Sequence, residues 1–317
     1  MPPSVEISVV IPTLNRWALL RETLRGALSQ QGVDAEVIVI DDGSVEAGSP
    51  ALGVPQDRRL RLIRHERPKG VAAARNRGIF EARGEWIALL DDDDLWAPNK
   101  LRTQLAAARA AGAGFAYASA VHVDRDLRPL QIERAPAPER LTGLLLSHNA
   151  IPAGSSNVIA RREILRELGG FDERFFHLAD WDLWLRLAQR TAGAACEEVM
   201  VAYVKHPENM LGVGPHAFFR ELSRFEARHC EAAQLSGVEL DRVAVARWVA
   251  FTHRQSGRRL RAAKGYLRAM RFGKRRMNFG SAVRSLSESR PPSLPRPSIA
   301  AVPDWLEAYG SRGSSQA

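Results

Sequence analysis

Cysteine is nearly missing from this chain: 317 residues contain two, Cys196 and Cys230. Two are too few for a disulfide framework or a structural zinc site, so both are expected as free thiols in a reducing, cytoplasmic setting. Long apolar runs are missing as well. No stretch approaches the roughly 18 residues that a spanning helix needs, which excludes a multi-span membrane protein. Residues 1–13 (MPPSVEISVVIPT) lack a charged leader, an apolar core and a small-residue cleavage site, so no secretory signal is expected. No repeat of 20 to 50 residues recurs, which excludes a solenoid. Acidic residues are missing from Arg242 to Arg284, where 13 Lys and Arg fall. The remainder carries 32 basic and 36 acidic residues, so the net charge of +9 belongs to one segment. That segment needs an anionic partner or abundant water.

What is present is ordinary for a globular chain: 45% hydrophobic and 26% charged residues. The length suits two lobes or one elaborated α/β domain with a large core. Short β-branched runs alternate with helical spacing over the first hundred residues. Ile7 to Ile11, Glu36 to Ile40, Leu60 to Ile63 and Trp86 to Leu90 are expected strands. Trp17 to Gln30 and Val71 to Ala82 are expected helices, and Pro98 suits the first position of another running to about Ala111. Alternation of this kind predicts a mostly parallel sheet with helices on both faces. Beyond Gly114, Phe115 to Val123 is an expected strand and Ala135 to Glu139 a loop. Leu141 to Ser147, Ile159 to Leu168, Trp181 to Gln189 and about Pro215 to Gln234 are expected helices. From Arg290 the Pro/Ser-rich composition predicts a linker or disordered tail, with Trp305 to Tyr309 docking locally.

Polar clusters follow the expected strands: Pro12-Thr13-Leu14-Asn15-Arg16, Asp41-Asp42-Gly43-Ser44 and Asp91-Asp92-Asp93-Asp94. In open parallel sheets ligands bind at that edge. Each cluster alone is compatible with turn chemistry. Three in order are not explained by turns. Four adjacent carboxylates between WIALL and LWAP call for a cation, and hard divalent ions such as magnesium or manganese take oxygen ligands. Asp94 also suits the cap of the following helix. Gly70 to Gly78 (GVAAARNRG) supplies the opposite charge, at a helix N-terminus suited to an anion or a planar base.

The motifs PTLNR, VIDDGS, GVAAARNRG, LLDDDDLWAPNKL, GGFDERF and DWDLWLRL, in this order, resemble glycosyltransferase family 2 over about residues 5–210. The resemblance implies a GT-A nucleotide-sugar-binding fold, with a nucleotide half at 1–112 and an acceptor and catalytic half at 113–212. Beyond it lie a basic helical region at 213–289 and a tail at 290–317. It implies that Pro12, Thr13, Asn15 and Arg16 form a nucleotide-contacting turn. Asp41 or Asp42 would accept a hydrogen bond from the base, with uracil favoured, and Arg75 would pack by the nucleotide. Asp91-x-Asp93 matches the DxD motif: Asp91 or Asp92 would reach the ribose, and Asp93 would hold a Mn2+ or Mg2+ ion. Asp180 matches the catalytic aspartate of a Glu-Asp-x-[Asp/Glu]-Leu motif whose first acid is Ala179 here. His206 matches loosely a histidine touching metal or diphosphate.

Transfer from a sugar nucleotide passes through an oxocarbenium-like state. One carboxylate opposite the leaving group, Asp180 or Asp182, can take the acceptor proton and gives inversion. The resemblance favours Asp180 as base, with Asp182 orienting or capping and Trp181 near the acceptor. The expected reaction moves sugar from a nucleotide-diphosphate donor to a carbohydrate or lipid-linked acceptor. A nucleotidyltransferase would carry a glycine-rich loop after the first strand, and PTLNRWALL has none. A binder of anionic polymers would explain the basic segment, but no nucleic-acid-binding motif accompanies it, so no nucleic acid is expected. Within residues 242–284, Val245, Trp248, Val249, Leu260, Tyr266, Leu267 and Met270 lie among Arg and Lys. That pattern suits helices lying on an anionic membrane surface, so peripheral association with the inner leaflet is expected. The sequence sets no oligomeric state.

Overall fold

A computed structural model describes residues 5–46, 54–206, 215–255, 258–271, 275–287 and 303–310. The chain divides into two compact units. The first combines Met1–Thr142, Ile151–Val204 and Arg296–Ala317; the second combines Gly143–Ala150 and Lys205–Pro295.

The first unit is built on a nine-stranded sheet. β1 (Ile7–Thr13), β2 (Ala35–Asp41), β3 (Leu60–Arg64) and β4 (Trp86–Leu89) form its parallel half, ordered β3-β2-β1-β4. Every residue of β1 and β2 is buried, as expected for strands covered on both faces. α1 (Trp17–Leu28) and α2 (Val71–Glu81) supply cover. α1 buries Trp17, Leu20, Leu24 and Ala27 at helical spacing. α2 lies so close to β1 that a Cβ at Gly78 would stand 2.2 Å from Val10 Cγ1.

β5 (Leu95–Trp96) follows the aspartate run and leads to α3 (Lys100–Ala110). Pro98 lies in the turn two residues before α3 rather than at its first position. β6 (Phe115–Val123), β7 (Pro129–Glu133), α4 (Pro138–Ser147) and a 3-10 turn at Gly154–Asn157 come next. Pro138 opens α4, so the expected loop at 135–139 is shorter than its composition suggested. The expected helix from Ile159 to Leu168 is divided. β8 (Ile159–Arg161) pairs antiparallel with both β4 and β6, and α5 (Arg162–Glu167) starts only afterwards. Ile159 and Ala160 are buried between two strands, and pairing on both edges outweighs their helical spacing. α6 (Ala179–Arg190) precedes β9 (Gly193–Val204), which sequence periodicity missed. Its pairing with β6 shifts register near Ala118 and Ser119, where Glu197 and Glu198 are exposed, and such a bulge erases alternation.

The Pro/Ser-rich expectation for 290–317 falls mostly outside the described residues. Within it, Asp304–Gly310 is a helix packed on the first unit. Trp305 Nε1 donates to Val199 O at 3.0 Å, and the Tyr309 hydroxyl donates to Trp96 O at 2.9 Å. Leu306 is buried.

In the second unit, α7 (Pro215–Ser236), α8 (Arg242–Gln255), α9 (Arg259–Ala269) and α10 (Arg275–Ser287) pack as helices. Ala250, Ala263, Tyr266 and Ala282 form a common core of α8, α9 and α10. Gly265 lets α9 approach α8, since a Cβ there would meet Ala250 Cβ at 2.8 Å. Among the described residues no helix is long and apolar enough to cross a membrane.

The Val10 contact makes one position sensitive to a single methyl group. Gly78→Ala is expected to destabilise the first unit by about 1–3 kcal/mol through overpacking, measured by urea denaturation.

Candidate active site

The ends of β1, β2 and β4 bring the three polar clusters to one edge of the sheet. After β1, Asn15 turns into the left-handed region at φ 57°, which asparagine tolerates. Its backbone N–H donates to Ser44 Oγ at 2.8 Å, and its Oδ1 accepts from Val45 N at 2.8 Å. The turns after β1 and β2 are thereby tied together. Pro12 lies within β1, paired with Ile40. Thr13 Oγ1 donates to Asp92 Oδ2 at 2.7 Å. Arg16 reaches the aspartate run, with Nη2 2.9 Å from Asp92 Oδ1 and in direct contact with Asp93 Oδ2.

The four aspartates occupy different environments. Asp91 is a third exposed and meets Arg75 Nη2 at 2.5 Å. Arg75 is itself buried, with its guanidinium over the Phe171 ring at 5.2 Å. Asp92 is buried, and burial pushes its carboxyl up to about 7. Arg16 opposes that rise, Asp93 adds to it, Thr13 opposes it and Asp91 adds to it. Asp94 is not the expected helix cap. It is fully buried, accepting from Ser156 Oγ at 2.5 Å and from Val204 N at 3.0 Å. Burial, then Asp93 and Asp91, raise its carboxyl well above the usual range. Ser156 Oγ also accepts from Asp91 N at 3.0 Å, so one hydroxyl braces both ends of the run.

Of the two acids after β2, Asp42 is engaged by the chain at both oxygens. It meets His65 Nδ1 at 2.7 Å and accepts from Lys69 N at 2.9 Å and Gly70 N at 2.8 Å. Asp41 is equally buried and accepts from Ser44 N through Oδ1 at 2.8 Å; its Oδ2 forms an ion pair with Arg64 Nη1 at 3.3 Å but has no hydrogen bond.

Among the described residues no three His, Cys, Asp or Glu side chains converge as a metal cage. The donors at the mouth are hard carboxylate oxygens, and each faces a cation of the chain. That set fits an ion that takes one or two carboxylates from the protein and its other ligands from substrate phosphates. Asp93 is the residue that would hold it. His206 is buried and belongs to the second unit.

Asp180 stands at the second position of α6, its Oδ1 accepting from Trp181 N at 2.8 Å. Its Oδ2 lies against Gly154, where a Cβ would come within 2.9 Å. Asp182 is fully buried and accepts from Arg186 Nε at 2.8 Å. Arg186 in turn donates to Leu168 O at 2.9 Å and Gly170 O at 2.8 Å. Asp182 thus holds the GGFDERF turn, whose Phe171 lies under Arg75. Trp181 is buried, so its ring packs α6 and is not available to stack on an acceptor.

Sequence reasoning passed over residues 153–157. Asn157 is fully buried, takes the Ala118 N–H at 2.9 Å and gives its own to Ala118 O at 2.6 Å and Pro152 O at 2.8 Å. Gln104 donates to Asn157 O at 2.7 Å and accepts from the buried Lys100 Nζ at 2.7 Å. This network holds the 3-10 turn that carries Gly154 and Ser156. A polar GSSN string between apolar segments was its one sequence signal.

The model of the family described as "Glycosyl transferase family 2" matches residues 8–169. The chain belongs to glycosyl transferase family 2. A second model, "Glycosyltransferase like family 2", matches residues 138–235. Among curated relatives, the succinoglycan biosynthesis protein ExoO of Rhizobium meliloti is 32% identical over 65% of this chain and 63% of its own length. The chain therefore spans somewhat less than two thirds of that relative. The Escherichia coli UDP-Glc:alpha-D-GlcNAc-diphosphoundecaprenol beta-1,3-glucosyltransferase WfgD is 28% identical over 57% of this chain and 69% of its own. Among solved structures, TarS 1-349 of S. aureus in complex with UDP-GlcNAc superposes with a TM-score of 0.57. It is 16% identical, over 89% of this chain and 88% of that one. That likeness shows the GT-A fold: a mostly parallel sheet flanked by helices, followed by C-terminal helices.

The crowding at Asp92 has a pH signature in this family 2 chain. Stability associated with its raised carboxyl pKa is fully present below about 4 and lost as pH rises through about 7. Asp92→Asn, which resembles the neutral acid, is therefore expected to raise the melting temperature at pH 8 by several degrees. At pH 5 the gain should be smaller, and near pH 4 it should nearly vanish, as read by calorimetry without ligand.

Proposed function

We propose that this chain is an inverting glycosyltransferase that moves a sugar from a nucleoside-diphosphate donor, UDP favoured, to an acceptor hydroxyl in polysaccharide or glycolipid synthesis. One observation carries the reading: Thr13, Arg16, Arg75 and the aspartates 91–93 meet at one sheet edge as alternating charges. Nothing in a structural core calls for that arrangement. The relatives' names, one from succinoglycan synthesis and one for transfer to a diphosphoundecaprenol-linked sugar, support the acceptor class.

In this reading Asp41 Oδ2, buried and facing Arg64 at 3.3 Å without a hydrogen bond, accepts an N–H of the base. Asp42 holds the 65–70 segment around it. Arg75 lies against the nucleotide, and Asp91 or Asp92 takes the ribose hydroxyls. A divalent ion at Asp93 would supply Lewis-acid neutralisation of the departing diphosphate. Arg16, in contact with Asp92 and Asp93, stabilises negative charge at the same mouth. Asp180 accepts the proton of the attacking hydroxyl. Gly154 leaves its carboxylate room and Asp182, through Arg186, fixes the adjoining turn.

Asp180→Asn is expected to bind a UDP-sugar as wild type does in a thermal-shift titration and to lose transfer by about 10²–10⁴-fold. Wild-type turnover by Asp180→Asn, with Asp182→Asn dead at an unchanged melting temperature, would assign the base to Asp182. For the metal, Asp93→Ala is expected to abolish the gain in donor-induced thermal shift that manganese gives wild type. Donor hydrolysis undiminished in EDTA would remove the ion from the mechanism.

A further inference from the structure

Among its described residues the second unit carries a mixed apolar and cationic face that is exposed. On α9 the exposed positions Leu260, Lys264 and Leu267 recur at i, i+4 and i+7, one stripe of the helix, with Arg261 beside it and Arg271 in the turn just past its end. On α10, Phe279, Val283 and Leu286 are about half exposed and recur at i, i+4 and i+7. The two stripes adjoin: Leu260 and Leu286 line one recess with Arg258, Arg259 and Arg261. Arg259 also donates to Ser285 O at 3.1 Å and to Leu286 O, fixing the end of α10 against α9. This corrects the apolar set expected from sequence. Val245, Val249 and Tyr266 are interior residues of the helix cluster, and the exposed apolar residues lie largely on α10.

No Asp or Glu occurs from Arg242 to Ser287, and among the described residues no carboxylate meets Arg261, Lys264, Arg268 or Arg271. Arg268 lies with its guanidinium over the Phe219 ring at 3.7 Å, and burial, with Arg271 nearby, lowers its pKa.

We infer that this face is a docking surface for an anionic lipid bilayer, independent of the transfer chemistry. Leu260, Leu267, Phe279, Val283 and Leu286 enter the boundary between headgroups and acyl chains, while Arg261, Lys264 and Arg271 meet lipid phosphates. A protein partner would have to bring acids to Arg261, Lys264 and Arg271 and apolar groups to the leucines between them, whereas an anionic bilayer offers both along its whole surface. A single-stranded nucleic acid fits poorly as well: four of the five apolar side chains are aliphatic and offer no ring for a base to stack on.

The test is co-sedimentation of the full chain with vesicles of phosphatidylcholine alone or mixed with phosphatidylglycerol, and separately titration with a single-stranded oligonucleotide. Wild type is expected to partition at least tenfold more strongly to the anionic vesicles, and less in high salt. Each removed cation should weaken binding about fivefold, so Lys264→Gln with Arg271→Gln loses about 25-fold. Leu260→Ser with Phe279→Ser and Leu286→Ser should lose at least as much. All these positions are exposed, and unchanged melting temperatures verify the fold. No binding to either vesicle, equal binding to both, or an apolar triple variant that binds as wild type would overturn the inference. So would tight oligonucleotide binding with no vesicle binding, which would assign the face to nucleic acid.

Discussion

Four successive carboxylates at the end of a buried strand repel one another, and they are held together because the surrounding fold gives each a different partner. Asp91 faces Arg75, Asp92 faces Thr13 and Arg16, Asp93 faces Arg16, and Asp94 is sealed inside against Ser156 and the Val204 amide. The parts come from β1, α2, the 3-10 turn and β9, so the run ties together both halves of the sheet. Protonation is the alternative to pairing, and Asp92 and Asp94 are both shifted towards it by burial. A site kept under such strain gains from any cation or donor that relieves it, which is the physical link between this edge and the proposed transfer chemistry.

Precision around that edge comes from close backbone approach. Gly154, at φ 50°, leaves room for Asp180 Oδ2. Gly170, at φ 66°, leaves room for Asn76, whose amide clamps Phe171 N at 2.8 Å and Phe171 O at 2.9 Å. Asn76 belongs to the same helix as Arg75. One helical turn thus sets both the guanidinium and the ring beneath it. Asp182 reaches that turn from the other side through Arg186. Two motifs that looked separate in sequence, GVAAARNRG and GGFDERF, are one mechanical assembly.

The second unit follows a different economy. The cluster that joins α8, α9 and α10 is made largely of small side chains, Ala250, Ala263 and Ala282 around Tyr266, so these helices pack closely and leave aliphatic side chains of α9 and α10 outside. Arg261, Lys264 and Arg271, which meet no carboxylate among the described residues, share that outer surface. Ordinary monomer surfaces rarely gather apolar side chains into a continuous stripe without a use for them.

Sequence by itself determined the parallel half of the sheet, because strands covered on both faces must be continuous apolar runs, and VVI, EVIVI and WIALL have no other stable use. It also determined that polar clusters follow those strands, and the order of the motifs identified the family. Tertiary structure alone decided the rest. β8 was hidden because three residues carry no period, and its two strand neighbours come from distant segments. β9 was hidden by a bulge with two exposed glutamates. The choice between equals was also tertiary. Asp41 and Asp42 are adjacent and chemically identical, yet backbone amides from 69–70 use up one and leave an oxygen of the other without a hydrogen bond. Asp180 and Asp182 are also told apart by packing: the register of α6 buries the second against Arg186 and sets the first beside Gly154. A sequence fixes which groups are available; only packing fixes which of them are already spent.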